Sequence, residues 1–225
     1  MSAVFVSATG TDVGKTFVTC GLIAHLRAHG GAVEAIKPVL SGFDPADLPA
    51  SDAAALLAAL GRPVTLTEVE RISPWRFAAP LSPDMAAARE GRAIDFAAVA
   101  EFCDGAVAAR RGRLFIEGIG GVMVPLDARH TVLDLITRLR LPLVLVAGSY
   151  VGTLSHTLAA LQVLARRNID VAAVVVSESQ GSAAALDETV ATVARFSDSI
   201  DVVGIPRLAD AASRHPAFAR IAQLL

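Results

Sequence analysis

Lysine is nearly missing from this chain. Of its 225 residues, 18 are arginine and only two, Lys15 and Lys37, are lysine. Cysteine is equally scarce: Cys20 and Cys103 stand far apart, each in an apolar stretch, which excludes a disulfide framework and a thiolate metal site. The net charge of -2 leaves no basic stripe able to neutralise a phosphate backbone, so nucleic acid is not an expected partner. Long hydrophobic runs are absent too. A run such as "LPLVLVAG" from Leu141 falls well short of the roughly 20 residues that span a bilayer, and the amino end has neither a basic n-region nor a cleavage site. These absences point to a cytoplasmic chain without a membrane partner. Its length suits one α/β domain over residues 1–225, and no internal repeat, charge block or low-complexity linker divides it.

What is present is an alternation of short apolar runs with longer amphipathic stretches. Strands are expected at Ala3–Ser7, Val33–Val39, Leu114–Glu117, Leu143–Val146, Val171–Val176 and Val202–Ile205. Helices are expected at Gly14–His29, Ser51–Leu60, Asp95–Arg111, Thr131–Leu139, Thr153–Arg167 and Ala183–Phe196, with a short helical tail. Residues 62–94 are rich in proline and arginine and predict loops with one short helix near Asp84–Glu90; residues 43–50 read as disordered. Strands of consecutive rather than alternating apolar residues suit a parallel sheet covered on both faces. The expected fold is a doubly wound, mostly parallel α/β sheet.

The stretch "SATGTDVGKTF", residues 7–17, follows the first strand and opens the first helix. Such a turn aims backbone N–H groups and the positive end of the helix dipole at one point, which suits an anion. Gly14, Lys15 and Thr16 fit the end of the phosphate-loop pattern, in which lysine meets the outer phosphates and the hydroxyl meets magnesium. The first glycine of that pattern is replaced by Thr9, with Gly10 one residue later. Both lysines lie beside loops marked by glycine or proline, and an ammonium is a compact point charge that a guanidinium does not replace at a crowded phosphate.

"TGTDVGKT" resembles the loop of the dethiobiotin synthetases. "IKPVLSG", "SDA", "FAAPLSP", "IEGIGGVMVPL" and "GIPRL" resemble further motifs of that family, in order, from residue 9 to residue 208. The resemblance implies an ATP-dependent ligase of the P-loop NTPase fold that carboxylates 7,8-diaminononanoate with carbon dioxide and closes the ring to dethiobiotin, through a carbamate and a carbamic-phosphoric anhydride. It implies Lys37, Lys15 and Thr11 as catalytic residues, and Ser41, Thr11, Lys37, Gly152 and Thr153 as contacts to the diamine. Asp12, Val13, Gly14, Lys15, Thr16, Phe17, Asp52, Glu117, Gly118, Ile119 and Gly120 would hold the nucleotide and its magnesium, with Thr16, Asp52 and Glu117 as the metal ligands. Ser177, Glu178, Pro206, Arg207 and Leu208 would surround the base. A homodimer is implied, with the far carboxylate of the substrate held at the start of the Thr153 helix across the interface.

Three features depart from the family pattern. Tyr150 and Ser155 stand where a lysine and a polar amide are common, and Ser177 stands where an asparagine reads adenine. A hydroxyl cannot offer an amide's coplanar donor and acceptor, which predicts weak selection of ATP over other nucleoside triphosphates. His156 is read as a packed helix residue rather than a base. The rival reading, a ParA/MinD-like switch ATPase, calls for a signature lysine where this chain has Gly10.

Overall fold

A computed structural model of the chain describes residues 3–208 and 215–225. In chain order the elements are β1 (Ala3–Ala8), α1 (Lys15–Ala28), β2 (Val33–Ile36), β3 (Val39–Ser41), a 3₁₀ segment (Pro45–Ala50), α2 (Asp52–Ala59), α3 (Leu66–Ile72), β4 (Trp75–Phe77) and α4 (Pro83–Arg89). They continue with α5 (Phe96–Ala109), β5 (Arg113–Glu117), α6 (Val132–Leu139), β6 (Leu143–Gly148), α7 (Thr153–Arg166), β7 (Val171–Ser177), α8 (Leu186–Arg195), β8 (Val202–Ile205) and α9 (Pro216–Gln223).

Six strands form one sheet in the order β2-β5-β1-β6-β7-β8, and every pairing in it is parallel. All six residues of β1 and all six of β6 are buried, as strands covered by helices on both faces must be. Phe5 and Phe115 are fully buried in neighbouring strands; truncating either to alanine would cost about 3–5 kcal/mol. The chain runs from β1 out to β2, returns through β5 and then passes beyond β1 to β6. The carboxyl ends of β1 and its neighbours therefore border the point where the winding reverses, where sheets of this kind bind ligands.

The expected strand Val33–Val39 is broken in two. Pro38 has no N–H to donate, and at this point the chain leaves the large sheet: Lys37 N donates to Ile72 O at 3.0 Å and Trp75 N to Pro38 O at 3.1 Å. Strand β3 then pairs in parallel with β4, Ser41 opposite Phe77, as a separate two-stranded sheet. The stretch 62–94 accordingly holds α3 and β4 as well as the expected short helix. Residues 43–50 are not irregular either. Asp44 Oδ1 accepts the Ala46 N–H at 2.8 Å, and the buried Phe43 bonds through its N–H to Phe77 O at 2.9 Å. Ser51 caps α2 as its position suggests, its hydroxyl accepting the Ala54 N–H at 3.2 Å.

Candidate functional site

A cavity of about 690 Å³ opens beside the β1–α1 loop. Gly14 caps α1 with φ 95, a left-handed conformation that favours glycine. Lys15 folds back over the loop, 3.4 Å from Gly10 O, at 7% exposure. Burial, then the neighbouring Lys37 charge, pull the Lys15 ammonium down from its ordinary value to about 8, partly opposed by Glu117, Asp52 and Asp12. Lys15 and Lys37 line this one cavity, together with Thr11, Asp12, Gly14, Thr16, Phe17, Ser41, Asp52, Ile119 and Gly120.

Lys37 is the hub of the cavity floor. The end of β2 carries it to the sheet's carboxyl edge, where it is 3% exposed. Its Nζ donates to Asp52 Oδ2 at 2.6 Å and to Glu117 Oε1 at 2.7 Å, and the Thr16 hydroxyl donates to the same Glu117 oxygen at 2.7 Å. Burial works against the Lys37 charge, but the Glu117 and Asp52 carboxylates outweigh it and hold this ammonium above its ordinary range. At Asp52, desolvation pushes the carboxyl up, and the Lys37 cation overrides it and holds the group below the usual carboxylate range. Glu117, at the end of β5, is fully buried and lines not this cavity but a small apolar pocket with Phe5, Leu126 and Val132, touching the main site through Lys37 and Thr16; its Oε2 has no hydrogen-bond partner among the described residues. A buried carboxylate oxygen without a partner is costly. One hydroxyl and two carboxylates, one of them with that unmatched oxygen, make a hard-oxygen donor set of the kind magnesium takes.

A second cavity of about 450 Å³ lies across the loop. Asp12, Val13, Gly14 and Phe17 face Ser177, Glu178, Pro206, Arg207 and Leu208 there. Glu178 ties the ends of β7 and β8 together: its N–H donates to Ile205 O at 2.9 Å, and its Oε2 accepts the Arg207 N–H at 2.8 Å. The carboxylate is thereby spent on the loop.

Other residues fall elsewhere. Gly118 lines neither cavity; a β-carbon there would stand 3.0 Å from the Phe5 ring. Gly121 is the glycine of this turn that meets the phosphate loop, since its β-carbon would lie 3.1 Å from the Thr9 carbonyl carbon; at Gly120 a β-carbon would stand 2.6 Å from the Val124 side chain. The "GIGG" turn thus accommodates the phosphate loop's own backbone. Gly152 and Thr153 also lie outside both cavities. The Thr153 N–H is not free: it donates to Tyr150 O at 3.0 Å, while its hydroxyl donates to Gly148 O at 2.6 Å. His156 is exposed rather than packed, with its Nδ1 2.8 Å from the Tyr150 hydroxyl. Sequence reasoning assigned no contact to Pro80, Leu81, Ser82 or Pro83, which wall the main cavity; "FAAPLSP" was their signal. Cys20 and Cys103 are free and buried, and desolvation first of all pushes both thiols up to about 12.

Comparison with known proteins agrees with this geometry. A family described as an AAA domain matches residues 2–214. The ATP-dependent dethiobiotin synthetase BioD of Acidiphilium cryptum is 49% identical over 178 residues, covering 79% of this chain and 80% of its own. That of Methylobacterium nodulans is 48% identical, covering 87% and 89%, and that of Phenylobacterium zucineum 47% identical, covering 94% and 92%. Among solved structures, the cell division ATPase MinD of Pyrococcus furiosus superposes with a TM-score of 0.56 at 16% identity, covering 100% of this chain and 98% of that one. This second likeness is one of P-loop fold alone.

Proposed function

The chain belongs to the ATP-dependent dethiobiotin synthetases, makers of dethiobiotin for biotin with ATP as co-substrate, and from that membership we propose how its residues divide the work. The observation that carries the proposal is the convergence of both lysines on one cavity at the phosphate loop.

An alkyl amine is about one part in a thousand neutral at neutral pH, and only the neutral form attacks carbon dioxide. The Lys15 and Lys37 charges disfavour the ammonium of the diamine and then favour the carbamate anion. Ser41 and Thr11, on the cavity wall, orient the diamine. The Lys15 ammonium, the loop N–H groups and the α1 dipole hold the triphosphate so that a carbamate oxygen meets the γ-phosphoryl group in line; positioning and charge carry most of such a transfer. The second amine closes the ring as phosphate leaves. Thr16, Asp52 and Glu117 would hold a magnesium ion, whose chemistry is to neutralise charge on the phosphates.

The base belongs in the second cavity, between Phe17 and the Pro206–Leu208 strip. We assign residues 1–225 to a single domain acting in the cytoplasm as a homodimer. An apolar groove along Met123, Val124, Ala159, Ala160 and Val163, with Val151 80% exposed nearby, supports the dimer. Thr153 cannot give its own N–H to the far carboxylate, so that contact is left to the later N–H groups of α7.

The test is detection of dethiobiotin by mass after incubation with the diamine, bicarbonate and magnesium ATP. Product is expected from the wild type and lost in Lys37→Ala with the fold intact; a wild type that hydrolyses ATP equally well without the diamine would refute the reading.

A further inference from the structure

Lys37 is assigned above to the carbamate, yet its ammonium is already spent. Its nitrogen lies 2.6 Å from Asp52 and 2.7 Å from Glu117, the two carboxylates assigned to the metal. Thr16, the third assigned ligand, gives its proton to the same Glu117 oxygen. A magnesium ion needs such oxygens at about 2.0–2.1 Å and in near-octahedral array. The ammonium takes one oxygen of each carboxylate, Asp52 Oδ2 and Glu117 Oε1, and a dication placed on those carboxylates beside it would meet strong repulsion next to the fully buried Glu117.

We propose that Lys37 and the divalent cation hold the Asp52–Glu117 carboxylates in alternation, so that metal loading releases Lys37 into the cavity to meet the carbamate. Charge balance favours the exchange. Asp12, Asp52 and Glu117 outnumber the two ammoniums by one in this structure; a dication on Asp52 and Glu117 makes the cavity net positive and leaves both ammoniums as counter-charges for incoming anions. The unpartnered Glu117 Oε2 is the second observation, since Lys37 and Thr16 both crowd Oε1 and leave one buried oxygen for a ligand they do not supply. Because coupling is reciprocal, an anion that draws Lys37 away also tightens metal binding. The metal becomes the condition for delivering the catalytic ammonium. This inference rests on the functional reading above.

The chain's two lysines make the test direct. In full-length protein carrying ¹³Cε-lysine, the side chains give two NMR signals, assigned with Lys15→Arg. Magnesium alone, without substrates, is expected to move the Lys37 signal well beyond that of Lys15. Lys37→Met is expected to bind Mn²⁺ about tenfold more tightly than the wild type, and to melt below it in chelator, with the gap closing as Mn²⁺ is added. A Lys37 signal that stays in place while the metal binds, or an unchanged or weaker Mn²⁺ affinity in Lys37→Met, would overturn the exchange. If the wild type still makes dethiobiotin, the functional reading survives that result; if it binds no divalent ion, the metal assignment and the exchange both fall.

Discussion

A β-carbon on Gly14 would stand 2.8 Å from the Ser177 hydroxyl oxygen and 3.2 Å from its Cβ. The cap of the first helix and the end of β7 are therefore in direct contact, and Gly14 lines both cavities. Gly14→Ala is expected to meet two penalties, left-handed backbone strain of about 1–2 kcal/mol and the clash with Ser177. Adding Ser177→Gly should remove the second and leave the first. Nucleotide affinity measured calorimetrically on the two single variants and the double variant checks this; a Gly14→Ala protein with wild-type affinity would contradict it.

The buried Lys37–Glu117 pair predicts a loss of stability. Glu117→Gln keeps the side-chain shape but leaves the Lys37 ammonium with Asp52 alone. Removing one partner of a buried ion pair costs about 3–5 kcal/mol, so the urea midpoint of the metal-free protein should drop sharply. Replacing the exposed partner Asp104 of Arg138 by asparagine should change it by at most about 1 kcal/mol.

Lys15 titrates near the working range. It is charged below about 8 and neutral above it in the free protein, so polyphosphate affinity is strong on the acid side and falls as pH rises through that value. Binding of a non-hydrolysable ATP analogue, followed from pH 6.5 to 9.5 without the diamine, should show this alkaline limb. Lys15→Arg, whose guanidinium stays charged, should bind more weakly at neutral pH but lack the limb. An identical pH profile in both proteins would remove Lys15 from this role.

Base selection follows from the second cavity. Ser177 offers only a hydroxyl and the Glu178 carboxylate holds the Arg207 N–H, so the asparagine-like reading is lost at position 177, and Gln180 is the amide that lines this cavity. ATP, CTP and GTP are expected to support turnover within about tenfold of one another at subsaturating concentration. A preference for ATP of a hundredfold or more would show that other groups read the base.

The large sheet was legible in the sequence because its strands are unbroken apolar runs such as "AVFVSA" and "LVLVAG", each followed by a glycine-marked turn and a helix. The phosphate loop was legible for the same reason: its glycines and lysine sit between such a strand and such a helix. What escaped were elements too short to show a period. Strand β4 is three residues long and exists through its pairing with β3, a contact between residues distant in sequence. Pro38 does signal that the strand closes there, since it cannot donate to a ladder, but the apolar Val39 and Leu40 beyond it hide that they begin a separate strand. The 43–50 segment looked irregular from its prolines and aspartates, and those residues build its local turns. The roles of Lys37, Asp52 and Glu117 came through family resemblance; that all three would already be bonded to one another was not readable from spacing, because 80 residues separate Lys37 from Glu117.

Both lysines line the chamber beside the β1–α1 loop, at 7% and 3% exposure. The exterior carries its positive charge as guanidinium, so acylating and carbamylating agents that decorate the lysines of most proteins find no side-chain amine on this one's outer face. Any lysine adduct recovered from the folded protein will report that the reagent entered the chamber, and its appearance and loss of turnover should rise together.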